Sequence, residues 1–165
     1  MAPSDRQKKK PPEGEQLHLD RRKFTLRFRM TFPSTRVAIN HAVDQVMQIA
    51  CECLHCDQGE PDLEISLREA LANAVIHGNK SEPDKNVSLR CYGNPDQGVI
   101  MAIRDQGSGF DPETVPDPRS SDKIYLHHGR GLFLMRELMD HVEHRKGGRE
   151  VVIHRTRKQS RRGES

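Results

Sequence analysis

Two short runs constrain this chain more than any others: "NVSLRCYG" at residues 86–93 and "GVIMAIRD" at residues 98–105. Both are rich in apolar and strand-forming residues, and the "NPDQ" between them has turn chemistry. The spacing predicts a hairpin of two antiparallel strands. A sheet built around such a hairpin buries at least one face, so the rest of the chain must cover it.

The flanking segments supply that cover. "RRKFTLRFRMTF" places Phe24, Leu26, Phe28 and Met30 at alternate positions with basic residues between them, which predicts a strand with those four on one face. Pro33 stops it, and Ser34 is the expected cap of a helix over about 34–55, with Val37, Val43, Val46, Met47, Ala50 and Leu54 as its apolar stripe. A second helix is expected from Pro61 to Gly78, a helix-stop residue. "LFLMRELMDHV" predicts a third helix, and "HVEHRK" and "REVVIHRT" around Gly147 and Gly148 predict a closing hairpin. The sum is an α+β two-layer sandwich, a mixed, mostly antiparallel sheet with about three helices on one face.

Polar ends dilute this core. Of 165 residues, 33% are hydrophobic and 31% charged. Residues 1–20 show no apolar period and are expected to be a disordered arm, residues 21–156 a single domain, and residues 157–165 a basic disordered tail. No apolar run approaches the roughly 18 residues that span a membrane. The first residues lack the apolar segment of a secretory signal, so the expected location is the cytoplasm, with no membrane association. The net charge of +3 is too small and too mixed to point to direct nucleic-acid binding. "CECLHC" offers Cys51, Cys53, His55 and Cys56 as metal ligands, yet no second cysteine pair follows at structural-zinc spacing. The segment also continues a helical pattern, and half-buried thiols at a helix end are the simpler expectation.

Three polar boxes stand out. Glu69, Asn73 and His77 fall at steps of four, which puts them on one helix face. Glu69 can accept a proton, and the Asn73 amide oxygen suits a hard cation such as Mg²⁺; alone, the same pattern describes a solvated face. His77 serves either at a pocket rim or as a helix-end residue next to Gly78. The second box, "DQGSGF", follows an apolar strand. Asp105 there can accept a hydrogen bond from an exocyclic amine, and Gly107 and Gly109 allow a sharp turn and a close flat ring; an ordinary glycine-rich turn reads the same way. In the third box, "HHGRGLFLMRELMD", Gly129 and Gly131 are expected just before an apolar helix, where free N–H groups and the helix dipole favour an anion. Between the second and third boxes runs a long irregular segment, a length usually reserved for functional or mobile loops.

Taken in order, E-x-x-x-N on a helix, D-x-G-x-G-F after a strand and G-x-G-L opening a helix resemble the N, G1 and G2 boxes of the GHKL superfamily of ATP-binding domains. "EALANAVIHGN", "IRDQGSGFDP" and "GRGLFLMRELMD" are similar to the anti-sigma factor serine-protein kinases within it. The resemblance covers about residues 22–155 and implies a Bergerat ATP-binding fold. It implies that Asn73 coordinates Mg²⁺ on the phosphates, Glu69 is the general base, Asp105 reads the adenine amine and Gly107 and Gly109 lie along the base. It further implies that Gly129, Arg130, Gly131 and Leu132 form the turn over the phosphates and that residues 111–128 form the ATP lid.

The function the resemblance implies is an ATP-dependent serine/threonine-protein kinase and anti-sigma regulatory factor, with ATP and Mg²⁺ as cofactors. Its implied partners are a STAS-type anti-anti-sigma protein, an RNA polymerase sigma factor and a second copy of itself. The first helix and first strand are the candidate dimer contacts. A plain ATPase, or a non-catalytic nucleotide-dependent binding switch of the same fold, is the alternative.

Overall fold

The computed structural model of the chain describes residues 21–56, 59–116 and 127–157. The expected arm at 1–20, most of the expected lid (117–126) and the tail from 158 onward lie outside the described residues.

The expected hairpin is present as β2 (Asn86–Asn94) and β3 (Gly98–Arg104). With β1 (Thr25–Pro33), β4 (His141–Arg145) and β5 (Glu150–Arg155) it forms a five-stranded sheet of order β1-β2-β3-β5-β4, every pairing antiparallel. Alternation sorts the strands: Val87, Leu89, Cys91, Val99, Met101, Ile103, Val151 and Ile153 point to the main core, while Ile100, Ala102 and Val152 form a smaller cluster on the opposite face.

β1 departs from the expected alternation. Its register against β2 shifts between Leu26 and Phe28. The extra residue inverts the faces. Phe28 and Met30 therefore pack on the main core, Phe24 joins the cluster on the opposite face, and Leu26 is 43% exposed.

Three helices, α1 (Arg36–Leu54), α2 (Pro61–Ala72) and α3 (His127–Leu138), cover the main face. α1 is capped by Thr35, not Ser34: the Thr35 hydroxyl accepts from the Ala38 N–H at 3.4 Å. Ser34 is buried and donates instead to the Lys85 carbonyl at 2.7 Å. The stripe of α1 runs through Ile39, Ala42, Val43, Val46, Ala50 and Leu54. Val37 is outside it at 82% exposure, because two residues turn the helix by about 200° from Ile39. α2 opens with Pro61 in its first turn and Asp62 and Glu64 near its positive end. Leu63, Leu67 and Leu71 from α2 and Met135 from α3 are fully buried in the main core, each such side chain contributing about 1.5–3 kcal/mol.

Arg155, the last residue of β5, fastens these layers. It is 8% exposed. Its guanidinium binds Glu60 before α2, donates to the Leu138 carbonyl at 2.9 Å at the end of α3, and lies 3.4 Å from Asp62 and 3.8 Å from Asp140.

Candidate functional site

The expected second helix changes character where the first box lies. α-helical geometry ends at Ala72, and Asn73–Gly78 continues as a π-helical turn closed by the Asn79 N–H on the Ala74 carbonyl at 2.9 Å. Turns of this kind concentrate at functional sites. Glu69 and Asn73, both half-buried, still sit one α-turn apart. His77 lies in the last turn of the π segment, is exposed, and lines the cleft described below, so its two sequence readings meet in one residue.

Asp105 follows β3 and is 8% exposed. Its Oδ1 accepts from the Gly107 N–H at 2.8 Å. Burial raises its pKa above the ordinary value, opposed by the Gly107 N–H and by the charges of Arg149 and Arg104. Gly78 packs flush against the carboxylate: a Cβ there would lie 2.5 Å from both Cγ and Oδ2 of Asp105. Gly107 in turn presses on the Gly78 carbonyl, where a Cβ would lie 2.1 Å away. The second box is thus built directly onto the end of the first.

The β4–β5 turn holds this loop from the other side. Phe110 donates its N–H to the Gly147 carbonyl at 2.9 Å, and Asp105 donates its N–H to the Arg149 carbonyl at 3.0 Å. Gly109 abuts Gly147 as well. Asn73, Gly78, Asp105, Gly109, Phe110 and Arg149 are among the residues lining a cleft of about 100 Å³. That is below the roughly 300–1,000 Å³ of pockets that enclose whole ligands.

Gly129, Arg130 and Gly131 lie inside the first turns of α3, where the sequence placed the glycines just before the helix. Apolar spacing alone does not reveal that a helix starts through two glycines. Gly131 meets the first box: a Cβ there would lie 2.6 Å from Glu69 Oε2 and 3.6 Å from Asn73 Nδ2. Arg130 is exposed, and Leu132, 3% exposed, belongs to the main core. Glu69, Asn73, Asp105, Gly107, Gly109 and Gly131 are therefore brought into one connected region, and Gly129 lies at its margin near Pro116. Sequence reasoning missed Ser108, Met135, His144 and Arg149 in the cleft wall, with Phe110 packed edge-on to His144 at 5.5 Å between ring centroids. The paired glycines at 147 and 148 signalled only a turn.

The cysteines stand apart. Cys51, Cys53 and Cys56 are half-buried at the end of α1, and Cys91 is buried beneath it. Among the described residues no group of three or more metal-ligating side chains is gathered. No described helix is long and apolar enough to cross a membrane.

A three-helix layer on an antiparallel sheet, with a glutamate and an asparagine on one helix beside a buried aspartate and a helix carrying two glycines in its first turns, defines a Bergerat-type nucleotide-binding domain. Residues 32–155 match the family model described as a histidine kinase-like ATPase domain, and the chain belongs to that family. The family implies ATP binding. Among curated proteins, the chain is similar to the serine-protein kinase RsbW of Bacillus licheniformis, 34% identical over 93 residues that make up 49% of this chain and 54% of the relative. The serine-protein kinase RsbW of Staphylococcus epidermidis is 33% identical over 87 residues, 49% of this chain and 55% of the relative. The anti-sigma F factor of Clostridium beijerinckii is 34% identical over 97 residues, 56% of this chain and 67% of the relative. The matched stretch thus spans about half the length of the two kinases.

Proposed function

We propose that this chain is an ATP-dependent serine/threonine-protein kinase that phosphorylates a STAS-type anti-anti-sigma protein and, as a homodimer in the cytoplasm, restrains a bacterial sigma factor. One observation carries the reading. Gly131, in the second turn of α3, lies against the Glu69 carboxylate with Asn73 beside it, and Asn73 also lines the cleft that contains Asp105. The names of the relatives, a serine-protein kinase and an anti-sigma factor, support the same assignment.

The donor set fits Mg-ATP. An amide oxygen next to a carboxylate suits a hard cation that keeps most of its ligands as phosphate and water. Glycines at the third and fifth positions of α3 leave room for phosphate oxygens near its N-terminal turns, where the helix dipole favours an anion. In this reading Asn73 holds Mg²⁺, which supplies charge neutralisation on the phosphates. Asp105 accepts from the adenine amine, and Gly107 and Gly109 lie along the base. Glu69 orients the substrate hydroxyl and takes its proton late, a role suited to a loose phosphoryl-transfer transition state. Arg130 is exposed at the start of α3 and adds positive charge there.

The test is labelled ATP with a cognate STAS protein. Label on the partner establishes the kinase; free phosphate alone means an ATPase; neither means a nucleotide-dependent binding switch. Glu69→Ala is expected to lower transfer by about 10²–10⁴-fold and to leave ATP affinity within about threefold. Full activity in Glu69→Ala would remove the assigned base.

A further inference from the structure

Asn79 has no role in the reading above, yet every polar atom it has is occupied. It is 0% exposed. Its side-chain Nδ2 donates to Ser34 Oγ at 2.7 Å and to the Asn86 carbonyl at 3.0 Å. Its Oδ1 accepts from the Gln106 N–H at 2.7 Å. Its own N–H closes the π turn on Ala74, and its carbonyl accepts from the Glu82 N–H at 3.0 Å. The amide cannot be turned over: a carbonyl faces one end and an N–H the other, so nitrogen and oxygen are fixed by their partners. Gln106 closes the circuit, its Oε1 accepting from the Asn86 N–H at 2.6 Å.

The two backbone segments this side chain joins are the two that flank Asp105. Asn79 adjoins Gly78, whose backbone packs against the Asp105 carboxylate. Gln106 is the residue after Asp105, and Gly107, one further on, donates to Oδ1. Fixing Gly78 and Gln106 together fixes the bed and the anchor of the carboxylate, while Glu69, Gly131 and the start of α3 lie outside this circuit.

We propose that Asn79 is a positioning residue for base recognition: by tying the end of the π turn to Gln106 it sets the aim of Asp105 toward adenine, and its loss costs base selectivity before it costs phosphate binding. The proposal rests on the adenine reading of Asp105. A merely structural asparagine would lower stability and weaken every ligand alike.

The experiment is calorimetric titration of wild type, Asn79→Ala, Asn79→Ser and Ser34→Ala with Mg-ATP, Mg-GTP and Mg-tripolyphosphate, each below the melting temperature of the variant. Wild type is expected to prefer ATP over GTP. Asn79→Ala is expected to weaken ATP by roughly tenfold or more, the scale of one lost buried hydrogen bond, and to shrink the ATP-to-GTP preference, with tripolyphosphate changed by less than about twofold. Asn79→Ser, which leaves a short polar group in the cavity, is expected to show the same pattern to a smaller degree, and it decides the matter if Asn79→Ala does not fold. Ser34→Ala removes an Nδ2 acceptor but spares the bond to Gln106, and is expected to lower stability with the preference unmoved. Equal losses for ATP and tripolyphosphate, or an unchanged preference in both Asn79 variants, would overturn the positioning role alone. A wild type with no preference for ATP would overturn the adenine reading and the positioning role with it.

Discussion

Replacing Asp105 by Asn should make the resting protein more stable and a poorer ATP binder. The carboxylate is almost wholly buried and keeps one hydrogen bond within the loop, from Gly107 at 2.8 Å. Its raised pKa means that desolvation outweighs the Gly107 N–H and the two arginine charges. An amide oxygen can keep the Gly107 bond, losing only its charge-assisted part of about 1 kcal/mol, and it escapes the larger cost of burying a charge. The balance favours the variant at neutral pH, and each 1 kcal/mol of it is worth roughly 3–6 °C in Tm for a domain of this size. The sign with pH follows from linkage. A group whose folded pKa lies above its unfolded value contributes stability that is present below the unfolded pKa and lost as pH rises through the folded pKa. The advantage of Asp105→Asn should therefore vanish in acid, below about pH 4, and appear as pH rises. His154, whose pKa is lowered by burial, shifts both proteins in the opposite sense, losing stability as pH falls through about 6.5, and it cancels in the difference. The assay is thermal melting of both proteins from pH 3.5 to 8, with ATP titrations at pH 7.5, where the variant should bind about 10–100-fold more weakly. A variant less stable than wild type at pH 7, or a difference that ignores pH, would refute the account of Asp105 as a costly buried charge.

Other consequences follow from the same contacts. Gly131→Ala should fold with little loss, since the Glu69 carboxylate end that its Cβ meets at 2.6 Å can swing aside, but transfer should fall by roughly 10²-fold; Gly129→Ala, whose Cβ among the described residues meets Pro116 O at 3.1 Å and Val115, should retain most activity in the same assay. Arg155→Met removes the guanidinium that binds Glu60, 12% exposed, and the Leu138 carbonyl, and should cost about 3 kcal/mol in urea unfolding. The Cys91 thiol is pushed up to about 12 by burial; iodoacetamide at pH 8 should spare it in the native protein and label it in urea, as read by peptide mass spectrometry.

Local chemistry was legible where it acts locally. The "NPDQ" turn and the paired glycines at 147 and 148 marked both hairpins, and the boxes lay in an order that pointed to a nucleotide site. Three features had no local signature. The bulge near Arg27 interrupts an unbroken alternation of apolar and basic residues, so nothing in "FTLRFRM" marks the inversion. The π turn in "NAVIHG" has the apolar spacing of an α-helix, and its wider register, closed by backbone bonds from Asn79 and Ser81 to Ala74 and Val75, is tied down by the Asn79 side chain's distant bonds to Ser34 and Gln106. The cleft wall from His144 to Arg149 is about 40 residues from the loop it supports, a distance that periodicity does not bridge. Ser34 and Thr35 are both good caps, and only the requirement for a buried hydroxyl beside Asn79 separates their roles.

The π turn has a meaning in terms of chain length. It carries one residue more than α-helical geometry would need to cover the same rise, and that surplus brings Gly78 to the carboxylate of Asp105 while Glu69 stays in register with Gly131. The two ends of the site are thus phased by a single inserted residue. Removing one residue between 74 and 77 would let the helix close regularly and rotate Gly78 away. The smallest lesion that could part a folded domain from one that reads a base is therefore a one-residue deletion.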